Sequence, residues 1–197
     1  MTERIQRPGR IGPTTEQIRH ELERVRHRKI FANTLRSTIF ILIVVSATAV
    51  LIAVLLLPVL RIYGNSMNDT LDEGDIVVAV KGGNFDTGDV IAFYYNNKLL
   101  VKRVIGREGD WVDIDESGNV YLNQNLLEEP YLESKAYGET NITLPYQVPE
   151  ARLFVLGDNR DVSIDSRNTT VGCITDEQIA GKIIFRVWPL DKIGIIK

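Results

Sequence analysis

Three stretches of this 197-residue chain hold the residues that could do chemistry. Ser66 lies in Tyr63-Gly64-Asn65-Ser66-Met67-Asn68-Asp69-Thr70-Leu71. Lys102 lies in Leu99-Leu100-Val101-Lys102-Arg103-Val104-Ile105, two cations amid apolar neighbours. The third stretch, Gly157-Asp158-Asn159-Arg160-Asp161-Val162-Ser163-Ile164-Asp165-Ser166-Arg167, is a dense polar loop after an apolar run. A serine becomes a strong nucleophile only beside a group that takes its proton. The two histidines, His20 and His27, both sit in a basic N-terminal stretch. No histidine is left elsewhere for a Ser-His-Asp triad, so a base must come from another residue type. A free lysine, with a pKa near 10.4, is protonated at neutral pH. Lowered to about 7–8 it becomes a usable base. Strand alternation puts Lys102 on the face of Leu100 and Val104, and Arg103 on the face of Val101 and Ile105. Burial of the Lys102 face would lower its pKa.

Each stretch, read alone, also fits a plainer role. Ser66-Met67-Asn68-Asp69 matches the capping-box pattern, so Ser66 could cap a short helix or turn. Lys102 could be an edge-strand charge that discourages aggregation. The loop could be a turn stitched by Asp165 and Arg167.

The elements that would position these residues differ sharply along the chain. Residues 1–36 carry nine Lys/Arg against four Asp/Glu, a net of +5. Residues 37–60 carry no charge, and residues 61–197 carry fourteen Lys/Arg against twenty-two Asp/Glu, a net of −8. The uncharged run of Ile, Val, Leu and Ala from Ser37 to Leu60 would rise about 36 Å as a helix, enough for a bilayer core of roughly 30 Å. It is expected to cross a membrane once, with its hydroxyls bonded back to helix carbonyls and Pro58 near its end. A cleaved signal peptide, with a shorter apolar region nearer the start, fits less well. Arg24, Arg26, Arg28, Lys29 and Arg36 precede the span and Arg61 alone follows closely. The positive-inside rule then puts the N-terminus in the cytoplasm and residues 61–197 outside. The stretch before the span reads as helical, with Thr14 to Gln17 as a capping box and Ile18, Leu22 and Val25 on one face. Its basic residues either meet anionic lipid headgroups or form a solvated charged face.

Residues 61–197 read mainly as strands: 75–80, 90–95, 99–107, 111–114, 120–123, 152–156 and 182–188. Turn signals such as Asn96-Asn97 and Ser117-Gly118-Asn119 separate them. Many short strands between turns argue for a mainly β, antiparallel domain. Its acidic balance argues against nucleic acid. The single cysteine, Cys173, excludes an intrachain disulfide and a multi-cysteine metal site and reads as a packing residue. No cofactor is expected.

In order and wording the three stretches resemble bacterial type I signal peptidases, the membrane-anchored Ser-Lys proteases, in a short form like the Gram-positive ones. Ser66-Met67-x-x-Thr70-Leu71 is similar to the nucleophile motif. Lys102-Arg103-Val104-Ile105-Gly106 with Gly109-Asp110 is similar to the lysine motif. Gly157-Asp158-Asn159-Arg160 with Ser163, Asp165, Ser166 and Arg167 is similar to the last motif, nearly letter for letter. The resemblance implies Ser66 as nucleophile and Lys102 as general base. It implies that Ser163 orients Lys102, that Asp165 and Arg167 brace the loop with Arg103 as a partner for Asp165, and that the Ser66 N–H stabilises the oxyanion. Ile62, Tyr63, Gly64, Met67, Leu71, Leu100 and Val101 match the substrate-binding positions. The implied architecture is one transmembrane helix (37–60) behind a basic cytoplasmic segment (1–36). An exported antiparallel β catalytic domain (61–107 and 152–197) follows, with a small β subdomain inserted at 108–151 and a core shared with self-cleaving Ser-Lys repressors. The implied substrates are exported preproteins, cleaved after small residues of the Ala-x-Ala type and bound as an added strand near the secretion translocon. The implied location is a bacterial cell membrane, with the catalytic domain outside.

Two positions depart from that pattern. Asp69 stands where the family usually has proline, and Gly64 stands where some relatives carry a hydroxyl. The rival to an enzyme is a noncatalytic exported scaffold or assembly chaperone built on the same fold.

Overall fold

The structure, a computed structural model, describes residues 14–68 and 70–196. Asp69, with the expectation attached to it, lies outside the described residues.

A single helix, α1, runs from Thr15 to Leu56, about 63 Å at the standard rise. The basic stretch and the apolar stretch are therefore one element. The Gln17 half of the capping box forms, with the Thr14 N–H donating to Gln17 Oε1 at 3.1 Å. Thr48 Oγ1 donates to the Val44 carbonyl at 2.9 Å, so this hydroxyl is satisfied inside the helix. The helix is long and apolar enough to cross a membrane, with a mean hydropathy of 2.6 in its most apolar stretch. It stops four residues before the expected Leu60. Pro58 disfavours helical backbone at the residue before it and cannot donate to the preceding turn. Val59–Arg61 then extends as β1 rather than finishing the span.

The rest is β structure. The further strands are β2 (Ile76–Val80), β3 (Val90–Tyr95), β4 (Lys98–Gly106), β5 (Trp111–Ile114), β6 (Val120–Leu122), β7 (Asn125–Leu126), β8 (Tyr146–Gln147), β9 (Arg152–Leu156), β10 (Ile174–Thr175), β11 (Ile179–Trp188) and β12 (Gly194–Ile195). The larger sheet runs β1-β2-β11-β3-β4-β9-β10, with β12 added to β11. The smaller sheet runs β7-β6-β5-β8. Every pair is antiparallel. The six strands of four residues or more, and the three-residue β6, fall where alternation and turn signals predict them. The other strands of two or three residues, at 59–61, 125–126, 146–147, 174–175 and 194–195, are not legible in the sequence, being too short to show a period.

The β3–β4 hairpin sets the register of Lys102. Asn96 and Asn97 take φ of 47° and 60°, the left-handed pair that a two-residue hairpin turn demands. That turn pairs Tyr95 with Lys98, and so Ile91 with Lys102 and Val90 with Arg103. On its other side β4 meets β9 only from Arg103 onward, where Arg103 faces Leu156.

One apolar cluster, containing Ile62, Met67, Leu71, Val77, Ala79, Val90, Ala92 and Ile183, fills the β1–β2–β11–β3 part of the large sheet. A second joins the sheets, packing Val112, Ile114 and Val120 of the small sheet on Ile105, Phe154 and Leu156. Gly106 allows this close approach: a Cβ there would lie 2.9 Å from Val112 Cγ2. Cys173 sits in the second cluster, and burial pushes its thiol up to about 11. That fits a packing residue and not a reactive one.

Candidate active site

Ser66 is held on a tight turn. The Thr70 and Leu71 N–H groups both donate to the Met67 carbonyl, at 3.1 and 2.7 Å. Met67 and Leu71 are thereby both turned into the first apolar cluster. With Met67 anchored at 2% exposure, its neighbour Ser66 is left half-buried at the surface of the core.

Lys102 reaches this turn from the middle of β4. Its Nζ donates to Ser66 Oγ at 2.6 Å. Lys102 is 3% exposed, because β4 is buried on both faces from this residue onward. Desolvation lowers its pKa from 10.5 to about 8, against the opposing pull of the Asp165 and Asp158 carboxylates and with help from the Arg167 guanidinium. Losing one proton converts this amine from donor to acceptor, and the Ser66 hydroxyl then donates to it. A hydroxyl beside a lysine that is partly neutral near neutral pH is an activated nucleophile.

The loop after β9 closes over the pair. Asn159 N–H donates to the Ser66 carbonyl at 3.2 Å, and Asn159 Nδ2 donates to the Asn65 carbonyl at 3.1 Å. Arg167 and Asp165 are fully buried and paired through Nε–Oδ1 and Nη2–Oδ2, both at 2.9 Å. Asp165 Oδ2 also accepts from the Gly157 N–H at 3.0 Å. The carboxylate thus ties the two ends of the loop together.

Comparison with known proteins decides the family. The pattern described as signal peptidase, peptidase S26, matches residues 33–188. The chain belongs to this family. It is 38% identical over 151 residues to signal peptidase IB of Staphylococcus aureus (strain COL), covering 66% of this chain and 78% of that protein. It is 35% identical over 151 residues to thylakoidal processing peptidase 1, chloroplastic, of Arabidopsis thaliana, covering 68% of this chain but only 42% of that longer protein. A crystal structure of a signal peptidase I from Enterococcus faecalis V583 aligns at 30% identity and a TM-score of 0.44, covering 51% of this chain and 97% of that one. As a member of the signal peptidase family, the chain is a membrane-anchored serine protease that removes signal peptides.

The candidate site opens into a cleft of about 550 Å³. One wall is Val59 to Gly64 with Met67, the other is Lys98 to Val101, and Ser66 lies between them. Ile62, Tyr63, Gly64, Met67, Leu100 and Val101 therefore all border the cleft. Leu71 does not. It is 0% exposed, packed in the same apolar cluster as Met67 but not among the residues that line the cleft. Gly64 has a φ of 81°, with open space where a Cβ would stand.

Two expected contacts differ. Arg103 pairs with Asp158 rather than with Asp165, through Nε–Oδ1 at 2.9 Å and Nη2–Oδ2 at 2.7 Å. Arg103 lies on the opposite face of β4 from Lys102, and Asp165 is already saturated by Arg167. The hydrogen bond expected from Ser163 to Lys102 is not formed. Ser163 Oγ is buried and has no hydrogen-bond partner among the described residues.

Other members of the site carried no assigned role in the sequence. Asp158 Oδ2 accepts from Thr70 Oγ1 at 2.5 Å, linking the loop to the turn that holds Ser66. Arg160 is 2% exposed and pairs with Glu129. No local pattern gave that pair: the loop carries three aspartates for the three arginines Arg103, Arg160 and Arg167, and only the structure shows Asp161 exposed, which leaves two buried carboxylates, Asp158 and Asp165. A buried guanidinium needs a carboxylate, so one had to come from elsewhere in the chain.

Proposed function

We propose that Ser66 and Lys102 cleave signal peptides from exported preproteins after small residues. The observation that carries this is the 2.6 Å contact between Lys102 Nζ and Ser66 Oγ, with the lysine held near a pKa of about 8. Neutral Lys102 takes the Ser66 proton as Oγ attacks the scissile carbonyl. The ammonium then gives that proton to the leaving amine, and the acyl group remains on Ser66. Water, deprotonated by the same amine, releases it. The backbone N–H of Ser66 receives the oxyanion, since Gly64 has no side chain to donate. Ser163 supports Lys102 during turnover: a buried hydroxyl without a partner is available to a lysine whose bonding changes at each proton transfer.

The substrate enters as an added strand. The β1 segment and the Lys98–Val101 half of β4 both line the cleft, and β9 does not cover that half of β4. Unpaired strand edges accept an extended peptide through its backbone. Ile62, Tyr63, Met67, Leu100 and Val101 leave shallow apolar space that suits small side chains. The helix anchors the enzyme in a bacterial cell membrane, crossing it once with the basic end cytoplasmic and the β unit outside, near lipid and the translocon.

The test is cleavage of a preprotein by the purified full chain in detergent, repeated with Ser66→Ala and Lys102→Ala. The expected result is one cut after a small residue, lost in both variants. Cleavage that survives Ser66→Ala overturns the assigned nucleophile. No cleavage of any preprotein favours the noncatalytic scaffold, which the family relationship and the intact Ser66–Lys102 contact do not favour.

A further inference from the structure

We propose that Glu129 and Tyr131, from the segment between β7 and β8, are positioning residues for the catalytic loop. This rests on the Ser66–Lys102 reading above. Glu129 stands apart from the loop in sequence, yet its side chain is fully buried against it. Both of its carboxylate oxygens are taken up by Arg160, Oε1 by Nη2 and Oε2 by Nη1. Oε1 also accepts from the Tyr131 hydroxyl at 2.9 Å. The Tyr131 ring lies under the guanidinium of Arg103, 3.8 Å from Cζ to the ring centre. Burial, and the Glu129 carboxylate next to it, hold the phenol well above its usual pKa, so it stays a hydrogen-bond donor. One short segment thus grips two arginines at once.

Both arginines lead directly to the nucleophile. Arg160 Nε donates to the Gly157 carbonyl at 3.0 Å, and its own carbonyl accepts from Arg167 Nη2 at 2.9 Å. Gly157 packs hard against Ser66: a Cβ there would stand 2.5 Å from the Ser66 carbonyl oxygen and 2.2 Å from Ser163 Oγ. Asn159, the residue before Arg160, holds the Ser66 carbonyl. Arg103 holds Asp158, which holds Thr70 on the far side of the same turn. Two separate paths therefore run from Glu129-Pro130-Tyr131 to either end of the Ser66 turn. Neither passes through the cleft walls, among whose lining residues Glu129, Tyr131 and Arg160 do not figure. A brace of this kind fixes the Ser66–Lys102 geometry without touching substrate. Its loss is read in turnover and not in substrate binding.

The experiment measures kcat and KM separately for preprotein cleavage by the detergent-solubilised full chain, with Glu129→Gln, Tyr131→Phe and the Glu129→Gln/Arg160→Gln pair. Misplacement of reacting atoms by about 1 Å costs on the order of 100-fold. Glu129→Gln is expected to lower kcat about 10- to 100-fold with KM held within about threefold. Tyr131→Phe keeps the ring under Arg103 and loses only the hydroxyl, so about a threefold to tenfold fall in kcat is expected. The double variant is expected to be no slower than Glu129→Gln alone, because the two side chains act as one unit. Wild-type kcat in Glu129→Gln and Tyr131→Phe overturns the proposal, and so does a rise in KM at constant kcat. Should Glu129→Gln fail to fold, Tyr131→Phe decides by the same criteria. Ser66→Ala run alongside keeps the two readings apart. Cleavage that persists in Ser66→Ala sinks the catalytic assignment itself. A dead Ser66→Ala beside an unaffected Glu129→Gln and Tyr131→Phe sinks only the brace.

Discussion

Replacing Lys102 by methionine is expected to stabilise the fold while abolishing cleavage. The lysine is buried at 3% exposure and its pKa is lowered to about 8, chiefly by desolvation. Its folded pKa lies below the unfolded value of 10.5, so the folded state binds the proton less well. The resulting cost is fully present below about pH 8. It fades between about pH 8 and 10.5 and is absent above that. The fall from 10.5 to about 8 amounts to about 3 kcal/mol, at about 1.36 kcal/mol for each tenfold change in proton affinity. Loss of the Nζ–Oγ hydrogen bond offsets about 1 kcal/mol of it. The Lys102→Met variant should therefore be more stable than wild type by about 2 kcal/mol at pH 7, and less stable by about 1 kcal/mol above pH 10.5. Urea unfolding in detergent at a series of pH values measures this. Both tryptophans, Trp111 and Trp188, lie in the β unit, so their fluorescence follows the part that contains Lys102. The same pKa sets the rate. At pH 7 about 9% of Lys102 is neutral, against roughly 0.03% for an unperturbed lysine, a gain of about 300-fold in competent enzyme. Wild-type kcat/KM should rise about fivefold from pH 7 to 8 and level off above about pH 9. A methionine variant that is less stable at pH 7, or a rate limb at or above about pH 10, would refute the reasoning.

Three further outcomes follow from the geometry. Asp158→Asn removes the carboxylate that accepts from Arg103 Nε and Nη2 and from Thr70 Oγ1, so a loss of about 2–4 kcal/mol is expected in the same urea titration. Gly157→Ala forces a methyl to within 2.2 Å of Ser163 Oγ and 2.5 Å of the Ser66 carbonyl, and it should cut kcat in preprotein cleavage by at least about tenfold. Leu71→Ala opens a cavity in the core and should cost about 2–5 kcal/mol. Sequencing the new N-terminus of the product should show the same cleavage site in that variant, because Leu71 does not face the cleft.

The sequence by itself determined the membrane helix, the longer strands and the three stretches that build the site. Each of these is written in neighbouring residues. The uncharged run from Ser37 makes a helix long and apolar enough to cross a membrane, ended at Leu56 before Pro58, period-two alternation makes a strand, and Asn96-Asn97 makes the hairpin that sets the register of Lys102. The missing histidines pointed to lysine for the same local reason. Tertiary structure alone decided which charges meet. The motif paired Arg103 with Asp165, and the structure pairs it with Asp158. The answer depended on which face of β4 is turned toward Thr70 and on Arg167 having already saturated Asp165. Glu129 reaches Arg160 across a separation in sequence that no local pattern records. Leu71 matched a substrate position by motif, yet it is packed in the same apolar cluster as Met67 and does not line the cleft. The lysine's burial was decided in the same way. Alternation could say which neighbours share its face, but only the closing of β9 and the polar loop over β4 removed water from both faces and brought the pKa down to about 8.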